Sequence, residues 1–160
     1  MAGLIKAVFQ DVTSAETTAK HELGDVYYSG KGKYVYAYNA DTTALNLGLG
    51  VVHASGASSW SVLLSAATGV HYCGHVEGQT VPTGTYFWLF REGIASSVAI
   101  SGVSAEANNV LFPAAAGGFT ATAPSGSTGM SGYSYWGNSV GYAVNTIAGD
   151  ATGGEAMLRY

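Results

Sequence analysis

The residues best suited to chemistry in this sequence lie together in the segment His71-Tyr72-Cys73-Gly74-His75. On a strand, His71, Cys73 and His75 would share one face, and imidazole and thiolate groups are common zinc ligands. Three ligands in a row along one strand converge poorly on a tetrahedral ion, and closed zinc sites show paired ligand spacings. The sequence therefore favours packing and turn roles for these residues. A metal site is the alternative, and we expect no cofactor.

Other catalytic arrangements have little support from residue spacing. Cys73 could act as a nucleophile beside a histidine, but nothing in the sequence indicates the environment that lowers a thiol pKa. The Gly-x-Ser-x-Gly spacing occurs at Gly137-Asn138-Ser139-Val140-Gly141, but no helical periodicity follows it, as a nucleophile elbow on a strand-to-helix turn requires. No Gly-rich loop is followed by the Lys-Ser/Thr that would cradle a phosphate. The acidic residues have no spacing that singles out a catalytic pair. We therefore expect a protein that is not an enzyme and takes no small-molecule substrate.

Aromatic side chains are abundant, with 11 Tyr, 3 Trp and 5 Phe. Tyr34, Tyr36 and Tyr38 alternate along one predicted strand, so they form either a cross-strand ladder in the core or a contact face for another subunit. The aromatic residues that we assign to a subunit interface are Tyr34, Tyr36, Tyr38, Trp88, Tyr133, Tyr135 and Trp136. The last three could instead stack on a sugar ring, which would make the protein a glycan- or receptor-binding module.

Charged residues are scarce, since Asp, Glu, Lys and Arg make up 10% of the chain, against about 25% in typical soluble domains. The uncharged stretches are rich in Ser, Thr, Gly and Asn, and none approaches the roughly 18 consecutive apolar residues of a membrane-spanning helix. The net charge is -4 and the basic residues are scattered, so no basic stripe for nucleic acid is present. We expect a surface that is either uncharged and polar or buried against protein partners.

Turn signals recur roughly every 8–12 residues, which is the pattern of a β-sandwich or β-barrel. We predict about ten short strands, drawn from apolar runs at 26–28, 33–38, 48–53, 60–64, 70–76, 85–91, 98–100, 110–112, 119–123, 133–136, 140–144 and 156–160. No repeat at a fixed period is present. The expected fold is all-β, a compact single-domain barrel or sandwich (tulip-like or jelly-roll-like) over residues 23–160.

Residues 1–22 differ from the rest, because they carry several charges and no apolar stripe. We expect an extended N-terminal arm, with a short helix as the alternative. The apolar run after Lys6 is too short for a signal peptide. Beyond the arm, Ser29-Gly30-Lys31-Gly32 predicts a hairpin turn. The run at 85–91 is apolar on both faces, which predicts a strand buried on both sides.

Several segments, taken in order, resemble those of phage capsid decoration proteins, also called cement proteins. Such proteins open with a Leu-Gly strand, a Gly-containing turn and an aromatic strand, which Leu23-Gly24-Asp25-Val26 and residues 29–36 match. A strand of the form small-Pro-x-Gly-x-Tyr-x-Trp, followed by a Gly, is matched by residues 81–88 and Gly93. The closing strands are similar to residues 140–143 and 156–159. The likeness runs from Leu23 to the C-terminus, and residues 114–138 are richer in Gly and Ser than the pattern.

The resemblance implies a structural virion protein, made in the host cytoplasm, that sits on the outer capsid surface as a homotrimer at three-fold and quasi-three-fold sites. Its partner would be the major capsid protein, and it would stabilise the mature shell against internal DNA pressure. Its N-terminal arm would cross onto neighbouring capsid subunits. The arm residues that we assign to this contact are Lys6, Phe9, Asp11 and Lys20. No nucleic acid or membrane partner is implied.

Overall fold

The computed structural model describes residues 11–54, 60–64, 72–121 and 140–160. These residues form β1 (Val26–Tyr28), β2 (Gly32–Asn39), β3 (Gly50–His53), β4 (Ser61–Leu64), β5 (Gly74–His75), β6 (Tyr86–Ala95), β7 (Val98–Ile100), β8 (Val110–Pro113), the short 3-10 helix η1 (Ala115–Gly117), β9 (Phe119–Thr120), β10 (Gly141–Ala143), β11 (Ala151–Gly153) and β12 (Ala156–Arg159). The strands make one mixed sheet in the order β1-β2-β4-β3-β5-β6-β12-β10-β8-β9-β7-β11, with β2 also paired to β6. The predicted all-β fold is confirmed.

Five strands of the first half close into a ring. Strand β2 pairs with β4, β4 with β3, β3 with β5, and β5 with β6, which returns to β2. Apolar side chains from these strands meet in one buried cluster that includes Ala37, Val51, Val62, Phe87 and Leu89. Since side chains alternate along each strand, one face of every strand lines the interior. The ring is therefore a small barrel with its own core.

Strand β6 is long enough to serve both halves of the molecule. Its first residues pair with β2 and β5 in the ring, and residues 92–95 pair with β12 in the second half. Phe87 and Leu89 belong to the barrel core, whereas Trp88 and Phe90 belong to a second core cluster. The prediction of a central strand buried on both faces is confirmed.

The second core lies between the barrel and the remaining strands. It combines Tyr34, Tyr36 and Phe90 of the first half with residues such as Leu111 and Leu158 of the second. The hydroxyl of Tyr72 adds a polar link, since its one hydrogen is shared between the carbonyl oxygens of Ala114 and Gly118, which lie 2.5 and 2.8 Å from the hydroxyl oxygen. The two halves are therefore joined by both apolar packing and hydrogen bonds.

Within the described ranges, one turn occurs four times, twice in each half. In each copy a buried apolar residue pairs with its counterpart, and the third residue after it has a left-handed backbone. The paired residues are Leu45 with Val81 and Ala105 with Ile147, which exchange two backbone hydrogen bonds in each pair. The left-handed residues are Gly48, Gly84, Asn108 and Asp150, with φ of 83°, 72°, 67° and 53°. Gly, Asn and Asp adopt this conformation at the lowest cost, which explains their presence at these positions.

Most strand predictions are confirmed, although the bounds differ: β2, β6 and β8 extend beyond the predicted runs, and several other strands are shorter. The predicted hairpin is present, because β1 and β2 pair antiparallel across the Ser29–Gly32 turn. The run at 70–76 retains only Gly74 and His75 as strand, and the run at 133–136 lies outside the described residues. Strand β11 was not predicted, since Thr152 is its one β-branched residue and it has no aromatic residue.

Candidate functional site

The alternating tyrosines of β2 form an aromatic ladder with β6. The pairs, in register, are Tyr34 with Phe90, Tyr36 with Trp88, and Tyr38 with Tyr86, with ring centroids 5.2, 5.1 and 4.9 Å apart. Tyr34, Tyr36 and Trp88 are only 1%, 0% and 4% exposed. Their assignment to a subunit interface is therefore corrected to the core ladder, because their side chains are already enclosed by their own chain. Tyr38 is partly exposed and stays a candidate for the interface.

The segment at 11–22 is fastened to the barrel of its own chain. Glu16 and Tyr86 exchange two backbone hydrogen bonds of 2.8 Å. The Glu16 carboxylate accepts a hydrogen bond from the Tyr36 hydroxyl at 2.9 Å and pairs with Lys20 Nζ at 2.6 Å. Asp11 accepts hydrogen bonds from the backbone and hydroxyl of Thr13 at 2.9 and 2.6 Å. Both candidate arm residues of this segment therefore already have partners within the chain.

The remaining sequence candidates for binding lie outside the described residues. They are Lys6 and Phe9 of the arm, and Tyr133, Tyr135 and Trp136 of the aromatic group. The role of the arm residues therefore stays a prediction, as does the choice between an interface and a glycan platform for the aromatic group.

The residues around Cys73 divide between the two cores. His71 lies outside the described residues. Cys73 belongs to the barrel cluster, whereas the His75 ring lies 4.9 Å from Phe90 of the second core. Burial raises the pKa of the Cys73 thiol to about 12, so the thiol stays protonated at neutral pH and is a poor nucleophile. Within the described ranges, no three His, Cys, Asp or Glu side chains are grouped so that they could hold a metal ion.

One buried pair of titratable groups was not assigned from the sequence. His75 Nε2 lies 3.0 Å from Glu77 Oε2, with 0% and 5% of the side chains exposed. The other carboxylate oxygen accepts hydrogen bonds from the Ser96 backbone, at 3.0 Å, and from the Ser96 hydroxyl. The pair thereby connects β5 to the turn between β6 and β7. The available signal was the spacing of two residues, which puts His75 and Glu77 on one face of an extended chain.

The Glu77 carboxylate is stabilised in its charged form. Burial acts to raise its pKa, but the hydrogen bonds from His75 and Ser96 outweigh burial, and the pKa lies below the ordinary value of 4.5. Because a carboxylate only accepts, Nε2 carries the hydrogen of the bond to Glu77. Both side chains are closed off from solvent, so we assign the pair a structural role at the junction of the halves.

The outer face of the sheet formed by β1, β2, β6, β12 and β10 carries exposed apolar and charged side chains that a protein partner could contact. One cross-strand row is Tyr28, Lys33, Glu92 and Arg159, and the next is Ile94, Met157 and Tyr142. Tyr28, Ile94 and Tyr142 are 70%, 44% and 43% exposed. A shallow groove of about 340 Å³ lies between Tyr142, Met157 and Arg159. We name as the basic patch the residues Tyr28, Lys31, Lys33, Ile94, Tyr142 and Arg159.

No protein-family model matches this chain, and no curated protein matches it. In the part of the chain that the structure describes, no helix combines the length and the apolar character needed to cross a membrane. A function for the chain therefore has to be inferred from its own residues.

Proposed function

We propose that this chain is a capsid decoration protein, a non-enzymatic structural protein of a phage virion. It is made in the host cytoplasm and binds the outer surface of the shell as a homotrimer at three-fold and quasi-three-fold sites. Its partner is the major capsid protein, and it requires no cofactor, substrate, nucleic acid or membrane. Its role is to stabilise the mature shell against internal DNA pressure.

The observation that carries the proposal is that the segments resembling decoration proteins are neighbours in one sheet. The opening hairpin is β1 and β2, the Pro82-Thr83-Gly84 turn leads into β6, and the closing segments are β10 and β12. Their pairings run β1-β2-β6-β12-β10, and all four are antiparallel. Segments that are far apart in the sequence thus form one continuous element, which unrelated chance matches would not be expected to do.

Composition supports a role in assembly. The chain is 10% charged, and the cores of protein interfaces are depleted in charge and enriched in aromatic residues. Six large apolar side chains of the described part stay exposed in the single chain, namely Val26, Tyr28, Ile94, Val103, Tyr142 and Val144. Exposed apolar surface of this kind favours contact with protein partners.

A decoration protein would act by mass action. A ligand that binds only the expanded shell lowers the free energy of that state, by about 2.7 kcal/mol per site at a free concentration 100 times its dissociation constant. The fastening of residues 11–22 suits such a clamp mechanically. A load applied to the N-terminal segment would pass through the Glu16–Tyr86 bridge into β6, which pairs with strands of both halves.

The direct test combines native mass measurement with binding to capsid shells. We expect the purified chain to be a trimer, to co-sediment with expanded shells stripped of their decoration protein, and to raise the temperature at which those shells open. Unexpanded shells serve as the control and should bind little. A monodisperse monomer that does not bind expanded shells would contradict the proposal.

A deletion then tests the arm. Removing residues 11–22 would also remove the Glu16 bridge, so a loss of binding could reflect damage to the barrel. We therefore expect deletion of residues 1–10 to abolish shell binding while the melting temperature of the free protein is retained. The substitution pair Lys6→Ala and Phe9→Ala should weaken shell binding in the same direction. Undiminished binding after the deletion would remove the arm from the proposal.

A further inference from the structure

The basic patch concentrates positive charge in an acidic chain. Lys31, Lys33 and Arg159 are half of the six Lys and Arg residues, although the net charge is -4. Glu92 is the carboxylate in register with Lys33 and Arg159, and it lies 3.9 Å from the Arg159 guanidinium, with both side chains largely exposed. An exposed pair this long contributes little to stability. These cations are therefore available to a carboxylate of a partner.

A second exposed area has the opposite charge. It lies on the loops around the Ala105–Ile147 bridge, and its charged members are Glu106, Asp150 and Glu155. Glu106 accepts a hydrogen bond from Thr146 at 3.1 Å, and Asp150 accepts one from the Gly102 backbone at 2.7 Å.

Two apolar side chains are exposed beside these carboxylates, namely Val103 (62%) and Val144 (39%). The backbone N–H of Val144 donates to the carbonyl of Glu155 at 2.8 Å, so Val144 and Glu155 are neighbours. No Lys or Arg lies between Arg91 and Arg159 in the sequence. We name Val103, Glu106, Val144, Asp150 and Glu155 the acidic patch.

We infer that the basic patch of one copy binds the acidic patch of a second copy, so that the chain self-associates head to tail. Each patch combines exposed apolar side chains with charge of one predominant sign, which is the arrangement of a complementary interface with a polar rim. A two-fold contact of the basic patch with itself would bring three cations and the Glu92 carboxylate against the same set. Positive charge would then predominate on both sides, and like charges face to face disfavour association. Contact between different patches avoids this repulsion and generates a ring or a filament.

This inference deepens the proposed function and rests on its homotrimer, because it names the contact through which that trimer would form. The proposed function and this inference are tested by different measurements. Shell binding tests the decoration role, whereas the mass and dissociation constant of the free protein test the contact between the patches.

The experiment reverses the charge of each patch alone and then of both together. The basic-patch variant is Lys31→Glu with Arg159→Glu, and the acidic-patch variant is Glu106→Lys with Glu155→Lys. We expect each to weaken self-association, measured by sedimentation equilibrium, by about tenfold or more. The variant with all four substitutions should recover affinity close to that of the unmodified chain, because its patches are again opposite in charge.

The control reverses one exposed charge outside both patches, Glu22→Lys, and should leave the dissociation constant unchanged. Circular dichroism establishes that each variant is folded. The unmodified chain offers a measurement that needs no variant, since its association should weaken as salt screens the contact. The inference is overturned if the unmodified chain is a monomer, if either patch variant associates as well as the unmodified chain, or if the four-substitution variant stays weak.

Discussion

The two paired turns share a backbone arrangement, but different side chains hold them in place. In the first half, the Leu45–Val81 pair is supported by Asn39, which is 0% exposed. The Asn39 amide donates to the carbonyl oxygens of Val81 and Pro82 at 3.1 and 3.0 Å, and its oxygen accepts from the Asp41 backbone at 2.9 Å. One buried side chain therefore joins the turn that begins at Val81, and the segment just before Leu45, to β2.

In the second half, exposed side chains support the Ala105–Ile147 pair. Ser104 accepts a hydrogen bond from the Gly149 backbone at 3.1 Å, while Asp150 and Glu106 accept bonds from residues of the facing turn. Water competes for each of these bonds, so each contributes less than a buried one, and its loss leaves no buried group unpaired. The difference indicates that one turn geometry can be fixed either by a single buried amide or by several exposed oxygen atoms. We expect the second arrangement to tolerate substitution better.

The largest expected effect follows from removing the buried amide. Asn39→Ala removes the amide donor to Val81 and Pro82 and the acceptor of the Asp41 N–H. The two carbonyl oxygens keep one donor each, from the Leu45 N–H and the Thr85 hydroxyl, so we expect a loss of about 2–3 kcal/mol in the free energy of unfolding. The matched change in the second half, Ser104→Ala, should cost about 0.5 kcal/mol or less. Chemical denaturation of both variants measures the difference. Equal losses would mean that burial does not distinguish the two turn pairs.

The next effect concerns two tyrosines, of which one has a hydrogen-bonded hydroxyl group and the other does not. Tyr72→Phe removes a buried donor to two carbonyl groups of the second half, and we expect it to cost about 1–2 kcal/mol. Tyr160→Phe removes a buried hydroxyl that has no hydrogen-bond partner among the described residues. It should leave the melting temperature unchanged or raise it, which thermal unfolding measures. A large loss for Tyr160→Phe and none for Tyr72→Phe would reverse the comparison.

A smaller effect separates the glycines of the first turn pair from Asn108 of the second. A methyl group at Gly84 would lie 3.8 Å from the Tyr38 hydroxyl, so Gly84→Ala introduces no clash and tests φ alone. We expect it to cost about 1 kcal/mol, because the left-handed conformation is strained for alanine. Asn108→Gly should stay within about 0.5 kcal/mol of the unmodified chain. The denaturation midpoints of the two variants measure this difference. A Gly84→Ala variant as stable as the unmodified chain would argue against the need for a left-handed backbone at this position.

The smallest effect is a change in pH dependence at the junction of the halves. The pKa of Glu77 is lowered in the folded chain, so its stabilising contribution is fully present above the ordinary pKa of 4.5. That contribution is lost as the pH falls through the folded pKa below this value. We expect the difference in melting temperature between the unmodified chain and Glu77→Gln to shrink as the medium becomes more acidic than 4.5. Glu22→Gln, at an exposed position, is the control, and a constant difference for Glu77→Gln would contradict the assignment.

Local features of the fold could be predicted from the sequence, whereas the pairing of distant strands could not. The Ser29–Gly32 turn and the doubly apolar run that became β6 depend on residues close together in the chain, so their patterns are readable. Closure of the ring depends on β2 meeting β4 in parallel and β6 antiparallel, which no local pattern encodes. The repeated turn was missed because its left-handed position is filled by Gly, Asn or Asp at unequal intervals.

The candidate sites show the same limit. Alternation correctly put Tyr34 and Tyr36 on one face, but it could not decide whether that face met the second core or solvent. It also put Cys73 and His75 on one face, but Cys73 lies before the two-residue strand β5, and the two side chains contact separate cores. The basic and acidic patches draw their residues from separate parts of the chain, so only the strand pairings bring each set together.

The position of β6 has a consequence for how the molecule comes apart. Strand β6 pairs with ring strands at one end and with β12 at the other. If β6 leaves the sheet of one half, the hydrogen bonds that it makes to the other half are therefore broken as well. Unfolding is then expected as one cooperative transition, with equal calorimetric and van't Hoff enthalpies. Amide protons of β6 should exchange with solvent only through global opening, whereas those of β11, at the edge of the sheet, should exchange first.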